Sequence, residues 1–160
     1  MISKLVRSNI ELALRSERER TISELRDLFQ YPFHSDVKIL HFELDGSVGD
    51  YGITVAQFKE LDEIIEINAH GEIVSGGILE IGFGCSLFEH VPMEEYEDIE
   101  RLDAYARYGI DRMFEWFADC FEEAGGKEFP LRCCLCYHDS GSGLDLHDRK
   151  WKELEEFEED

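Results

Sequence analysis

Apolar residues recur along this chain in two different periods, and the switches between them mark out its elements. Ile2, Leu5, Val6, Ile10 and Ala13 share one helical face. A polar run over residues 15–20 interrupts that face. Ser16 with Glu19, and Thr21 with Glu24, have capping-box spacing, so a second helix carrying Ile22, Leu25, Leu28 and Phe29 is predicted to begin there and to close before Pro32. Over residues 37–45 the period drops to two, with Leu40, Phe42 and Leu44 on one side of a strand. Turn residues Asp45-Gly46 and Gly49-Asp50 lead into a second strand over 51–58, giving a hairpin.

Residues 61–75 admit two readings. The β-branched content and the turn chemistry of Asn68 to Gly71 favour another hairpin. The rival is a helix from Val55, capped by Thr54, with Phe58, Leu61, Ile64 and Ile65 inward. The apolar run 78–83 lies among Gly76, Gly77, Gly82 and Gly84 and reads as a strand with bulges; it lacks the Lys-Ser/Thr of a phosphate loop. The longest helix is predicted over 98–124, where Ile99, Leu102, Tyr105, Ala106, Ile110, Met113, Phe114, Phe117 and Phe121 form one aromatic-rich stripe and Gly125-Gly126 supply the stop. Segments 129–138 and 144–148 flank Asp139-Ser-Gly-Ser-Gly143 as a final hairpin, with Asp139 opposite Leu144. Trp151 and Phe157 can anchor an acidic tail over 152–160.

These elements predict an α+β fold: an antiparallel sheet of about five to seven strands, N-terminal helices in 1–29, and the long amphipathic helix packed across the sheet. A chain of 160 residues with 43% hydrophobic content suits a single domain spanning 1–160. No stretch approaches the roughly 18 to 20 apolar residues of a membrane span. The five cysteines are odd in number, and the first residues show no secretory pattern, so the expectation is a cytoplasmic protein with reduced thiols.

Charge changes the picture most. Sixteen Lys and Arg stand against 37 Asp and Glu, a net of -21. Residues 1–29 are near neutral, so almost all of the excess lies beyond them. Such a field repels nucleic acid and anionic lipid and steers basic partners inward; acidic surfaces also keep proteins soluble and apart.

Chemistry concentrates in the last hairpin. With Asp139 opposite Leu144, one face would hold Cys134, Cys136, His138, Asp145 and His147, placing His138 opposite Asp145 and Cys136 opposite His147. Zinc takes such ligands. Yet residues two apart on one strand are spaced about 6.6 Å, so Cys134 and His138 spread by about 13 Å and cannot both reach one ion. A site from His138, Asp145 and His147 is easier. A Cys136–His147 nucleophile-base pair is a further alternative, against which stand an acidic field and the ordinary role of cysteine as a small apolar filler. Neither is a complete active site, and the expectation is a binding protein with no cofactor. The remaining histidines, His34, His41, His70 and His90, read as ordinary loop or strand residues.

In size, acidity and mixed helix-sheet layout the chain resembles the bacterial immunity proteins that neutralise polymorphic or contact-dependent toxins. The resemblance implies a cognate basic protein, often a nuclease toxin, held one-to-one by a monomer or homodimer. Contact candidates on that reading are Asp45, Asp50, Asp62, Glu94, Glu95, Glu97, Asp98 and Glu100, with Tyr96 as an aromatic anchor. The alternatives are a DNA-mimic inhibitor of nucleic-acid-binding proteins, and an enzyme or metal protein built on the Cys/His face.

Overall fold

The computed structural model describes residues 2–47 and 49–158. Its first element corrects the sequence reading, because α1 (Lys4–Phe29) is one uninterrupted helix. Ser3 caps it, accepting from Val6 N. The two internal capping boxes do not start a new helix: Ser16 Oγ donates back to Ala13 O at 2.7 Å, and Thr21 is buried. The charged run that resembled a break is solvated helix surface, with Arg20 paired to Glu17 and Arg18 reaching across to Glu123.

The sheet is built from β1 (Ile39–Ser47), β2 (Asp50–Glu60), β3 (Glu63–Ile64), β4 (Ile78–Ser86), β5 (Arg132–Tyr137), β6 (Ser142–Asp145) and β7 (Trp151–Glu153). Their order is β3-β2-β1-β5-β6-β7, and β4 shares the outer edge of β2 with β3. The long helix α2 (Ile99–Glu123) is capped by Asp98, which accepts from Glu100 N and Arg101 N, and ends before Gly125 in the left-handed region at φ 96°. An α+β fold with seven strands is therefore present. One pairing departs from the antiparallel expectation: β1 and β5 run parallel, from Ile39 opposite Arg132 to Leu44 opposite Tyr137.

The reason lies in the helices. Arg7 sits over the ring of Tyr108, Glu11 pairs with Arg112, and Arg18 with Glu123, a nearly constant offset that makes α1 and α2 run in the same direction. Each helix feeds a strand. Two helices aligned side by side deliver β1 and β5 to the sheet in the same sense.

Both helices cover one face of the sheet. Phe117 of α2 meets Phe42 of β1 at 5.3 Å and Phe83 of β4 at 5.2 Å, centroid to centroid, and Val6, Ile10, Leu14, Leu25 and Leu28 fill the α1 side. The predicted stripe on α2 holds from Tyr105 onward, whereas Ile99 is 82% exposed. Residues 55–60 belong to β2, so the rival helix from Val55 does not form. The predicted turn at Asn68 does form, closed by Gly71 N on Asn68 O, but its arms are an irregular excursion joined by a bridge between Ile67 and Ile73, while a second bridge ties Asn68 to Phe33. Phe157 is buried as the anchor of the C-terminal segment, while Trp151 stays largely exposed against Phe114.

Candidate functional site

The face of the sheet turned away from the helices carries the polar chemistry. Alternation on β1 sends Leu40, Phe42 and Leu44 to the helix side and leaves Ile39, His41, Glu43 and Asp45 on the open side. The same alternation on β5 places Cys133 and Leu135 in the main core and Cys134 and Cys136 opposite. Parallel pairing then puts His41 beside Cys134, and Glu43 beside Cys136. A second small core closes over them: Ile39, Cys134, Cys136 and Phe157, flanked by Phe58, Leu61 and Leu154. Cys134 and Cys136 are 0% and 1% exposed. On β6, Gly143 lies against Cys136, and a Cβ there would stand 2.5 Å from Cys136 Sγ.

Among the described residues, two groups of three bring potential ligand atoms within 4.8 Å of one another: His41, Cys134 and Cys136, and Glu43, Asp45 and His138. The two thiols of the first group are not equivalent. Donation from Cys134 holds Cys136 below the ordinary thiol range against the opposing effect of burial, with His41 assisting. Cys134 is held well above the ordinary thiol range by its hydrogen bond to Cys136 and by burial. Burial acts to lower His41, but its hydrogen bond and charge interaction with Cys136 and the nearby Glu43 raise it above the usual imidazole value. The Phe58 and His41 rings pack nearly perpendicular to each other, 6.0 Å apart centroid to centroid.

This arrangement corrects the sequence-derived one. The β5–β6 register is Cys134 opposite Asp145 and Leu135 opposite Leu144, shifted by four residues from the predicted pairing. Because the shift is even, the faces are preserved while the partners change. His138 does not face Asp145; its Nδ1 lies 2.9 Å from Glu43 and its Nε2 3.2 Å from Asp139. Asp145 instead accepts from Lys152 at 2.6 Å. His147 donates through Nε2 to Phe129 O and packs against Phe121, so neither the Cys136–His147 pair nor a His138–Asp145–His147 metal site is assembled.

Glu43 raises His138, as do the charges of Asp139 and Asp45. A raised pKa means that the ion pairs are formed below it and lost as pH rises through it. Titration of the ring resonances by NMR is expected to show His138 above a free histidine, and Glu43→Gln should return it toward the free value. An unshifted wild-type ring would remove the pairing.

The acidic contact candidates divide. Asp45 and Asp50 sit at one end of the β1–β2 hairpin, and the chain after β4 leaves from this end, with Leu87 N bonded to Gly49 O. It continues through the short helical turn Met93–Tyr96 into α2. Asp62 lies beyond the other end of β2, about 33 Å away along a strand of this length. Glu95 accepts from Tyr105 at 2.8 Å and Asp98 is spent on the helix cap. Glu94, Glu97 and Glu100 are exposed and have no Lys or Arg ion-pair partner among the described residues. The side chain of Tyr96 lies outside what the structure describes.

No known protein family, curated protein or solved structure matches the chain.

Sequence reasoning passed over Met93 and assigned Ile99 to the buried stripe of α2, yet they are 74% and 82% exposed and stand on either side of Glu94, Glu95, Glu97 and Asp98. Their signal was present, since each is a large apolar residue inside an otherwise charged stretch. A cleft of about 850 Å3 opens at the other end of the molecule between Phe33, Lys38, Phe129 and Phe157. Among the described residues, no helix is long and apolar enough to cross a membrane.

Proposed function

We propose that this protein is an acidic binding protein that captures one basic protein partner through the end formed by residues 93–100 and the β1–β2 hairpin, in the manner of an immunity protein blocking its cognate toxin. The observation that carries the reading is the composition of that end: carboxylates of Glu94, Glu97 and Glu100, which have no Lys or Arg partner among the described residues, beside exposed Met93 and Ile99. Carboxylates attract and orient a basic surface at long range, and apolar side chains add contact area once water is expelled. Asp45 and Asp50 extend the same negative field. Neither Glu95 nor Asp98 is assigned a contact, because each already serves the protein's own structure.

Co-expression with the product of the neighbouring gene, followed by purification at rising salt, tests this reading. The expected result is a single basic partner at one-to-one stoichiometry whose association slows as salt screens the field. Combined Glu94→Lys, Glu97→Lys and Glu100→Lys should slow association by about tenfold or more without changing the unfolding midpoint. An unchanged association rate at low salt would remove this end from the interface. Retention of several unrelated nucleic-acid-binding proteins would instead point to a DNA mimic.

A further inference from the structure

We propose that His41, Cys134 and Cys136 form a zinc site on the open face of the sheet, beneath the C-terminal segment. The proposal is independent of the acidic end, with which it shares no residue. Its basis is convergence: two thiols two residues apart on β5 and an imidazole from the adjacent parallel strand, with ligand atoms within 4.8 Å of one another. In a tetrahedral site with Zn–S near 2.3 Å, two thiolates stand about 3.8 Å apart. Closing onto an ion therefore requires side-chain movements of about 1 Å and no change in strand register.

The distance along one strand, which forbids Cys134, Cys136 and His138 from sharing an ion, does not apply here because the third ligand comes from the side. The surroundings also suit a metal. Both sulfurs are buried, the ring of Phe58 packs against His41, and Phe157 and Leu154 form an apolar wall over the group. Two thiolates and a neutral imidazole around a divalent ion carry no net charge, which makes the assembled site inexpensive to bury. A monovalent copper ion on the same ligands would leave one buried negative charge next to the carboxylate-bearing neighbours Glu43 and Asp145. The residue opposite Cys136 on β6 is Gly143, where a Cβ would stand 2.5 Å from Cys136 Sγ, so the position has no room for a side chain. Protein ligands fill three positions, leaving the fourth for water or a partner's group.

Binding releases the thiol protons to solvent and changes no oxidation state. The test uses the full-length protein, stripped of metal with chelator and kept reduced with a phosphine, and titrated with cobalt(II) as a spectroscopic stand-in for zinc. One equivalent should produce the ligand-field bands of tetrahedral cobalt with a thiolate charge-transfer band, and zinc should bleach both. His41→Ala, at a partly exposed position, should weaken cobalt binding by more than about 100-fold, beyond what loss of an outer-shell partner costs. His138→Gln and Cys120→Ser should leave the spectrum unchanged. Absence of a thiolate–cobalt band in the wild-type protein would overturn the proposal, as would a band undiminished in Cys134→Ser/Cys136→Ser. If that double variant fails to fold, an undiminished affinity in His41→Ala is the overturning result.

Discussion

Phe121→Ala is expected to lower the unfolding free energy by about 3–5 kcal/mol, read as a shift of the urea midpoint at unchanged slope. The side chain is fully buried and joins separate parts of the fold. Its ring meets Phe29 of α1 edge-on at 5.4 Å, Phe42 of β1 at 6.4 Å and His147 after β6 at 5.6 Å. Gly126 lies so close beneath it that a Cβ there would stand 2.3 Å from the ring. Removing the ring opens a void whose walls belong to two helices and the sheet, so collapse would require relative movement of all three. The cost should fall toward the upper end of the range. Ile99→Ala on the same helix, at a residue 82% exposed, should stay within about 0.5 kcal/mol. A loss below about 1.5 kcal/mol for Phe121→Ala would show that the helices are not joined to the sheet through this ring.

Much of that core was legible in the chain. The three-and-four spacing of Met113, Phe114, Phe117 and Phe121 and the alternation of Leu40, Phe42 and Leu44 both report burial directly, because each depends only on local geometry. The break read into α1 failed for a physical reason. Capping-box residues name a helix start only when the chain before them is not already helical, and Ser16 inside a formed helix turns its hydroxyl back to Ala13 O. Strand direction was not legible at all. Nothing in the pattern of β1 or β5 distinguishes a parallel from an antiparallel neighbour; that choice is made by α1 and α2 lying in the same sense.

The candidate metal group shows the consequence. Cys134 and Cys136 were read correctly as sharing a face, since period two fixes it. The same rule applied to β1 places His41 and Glu43 together on the side opposite Phe42, but it cannot say which strand lies next to them. Only the parallel pairing brings His41 to Cys134. The hairpin register failed differently. The turn residues Asp139 to Gly143 invite tight pairing, yet β5 keeps its hydrogen bonds to β1 as far as His138 N on Leu44 O, and Gly143 is drawn against Cys136. The partners of His138 and Asp145 were therefore exchanged for Glu43 and Lys152, and with them the expected chemistry of that face.

Gln57→Leu is expected to cost about 2–4 kcal/mol and to raise hydrogen exchange first in residues 61–77. Gln57 is 0% exposed on β2, a polar side chain on the core face of the sheet. Its amide nitrogen donates to Ile65 O at 2.7 Å and Ile67 O at 3.1 Å, while its own backbone carbonyl accepts from Ile65 N at 3.1 Å. One residue thus holds both sides of Ile65. Farther along, the excursion is tied to the chain after α1 by Ala69 N on Pro32 O and a bridge from Asn68 to Phe33, but around Ile65 the strand pairing is short: β3 is two residues long, and Gly77, at φ 70°, lies so close to Ile64 that a side chain would collide with it. Leucine matches the size of glutamine but donates nothing, so two carbonyls lose a partner at about 1–3 kcal/mol each, offset in part by the apolar gain of the leucine itself. Because the segment sits at the sheet edge, the loss should appear as local opening before global unfolding. A cost below about 1 kcal/mol with unchanged exchange over 61–77 would mean that the backbone pairing of this segment suffices and that the buried amide is not what fixes its path.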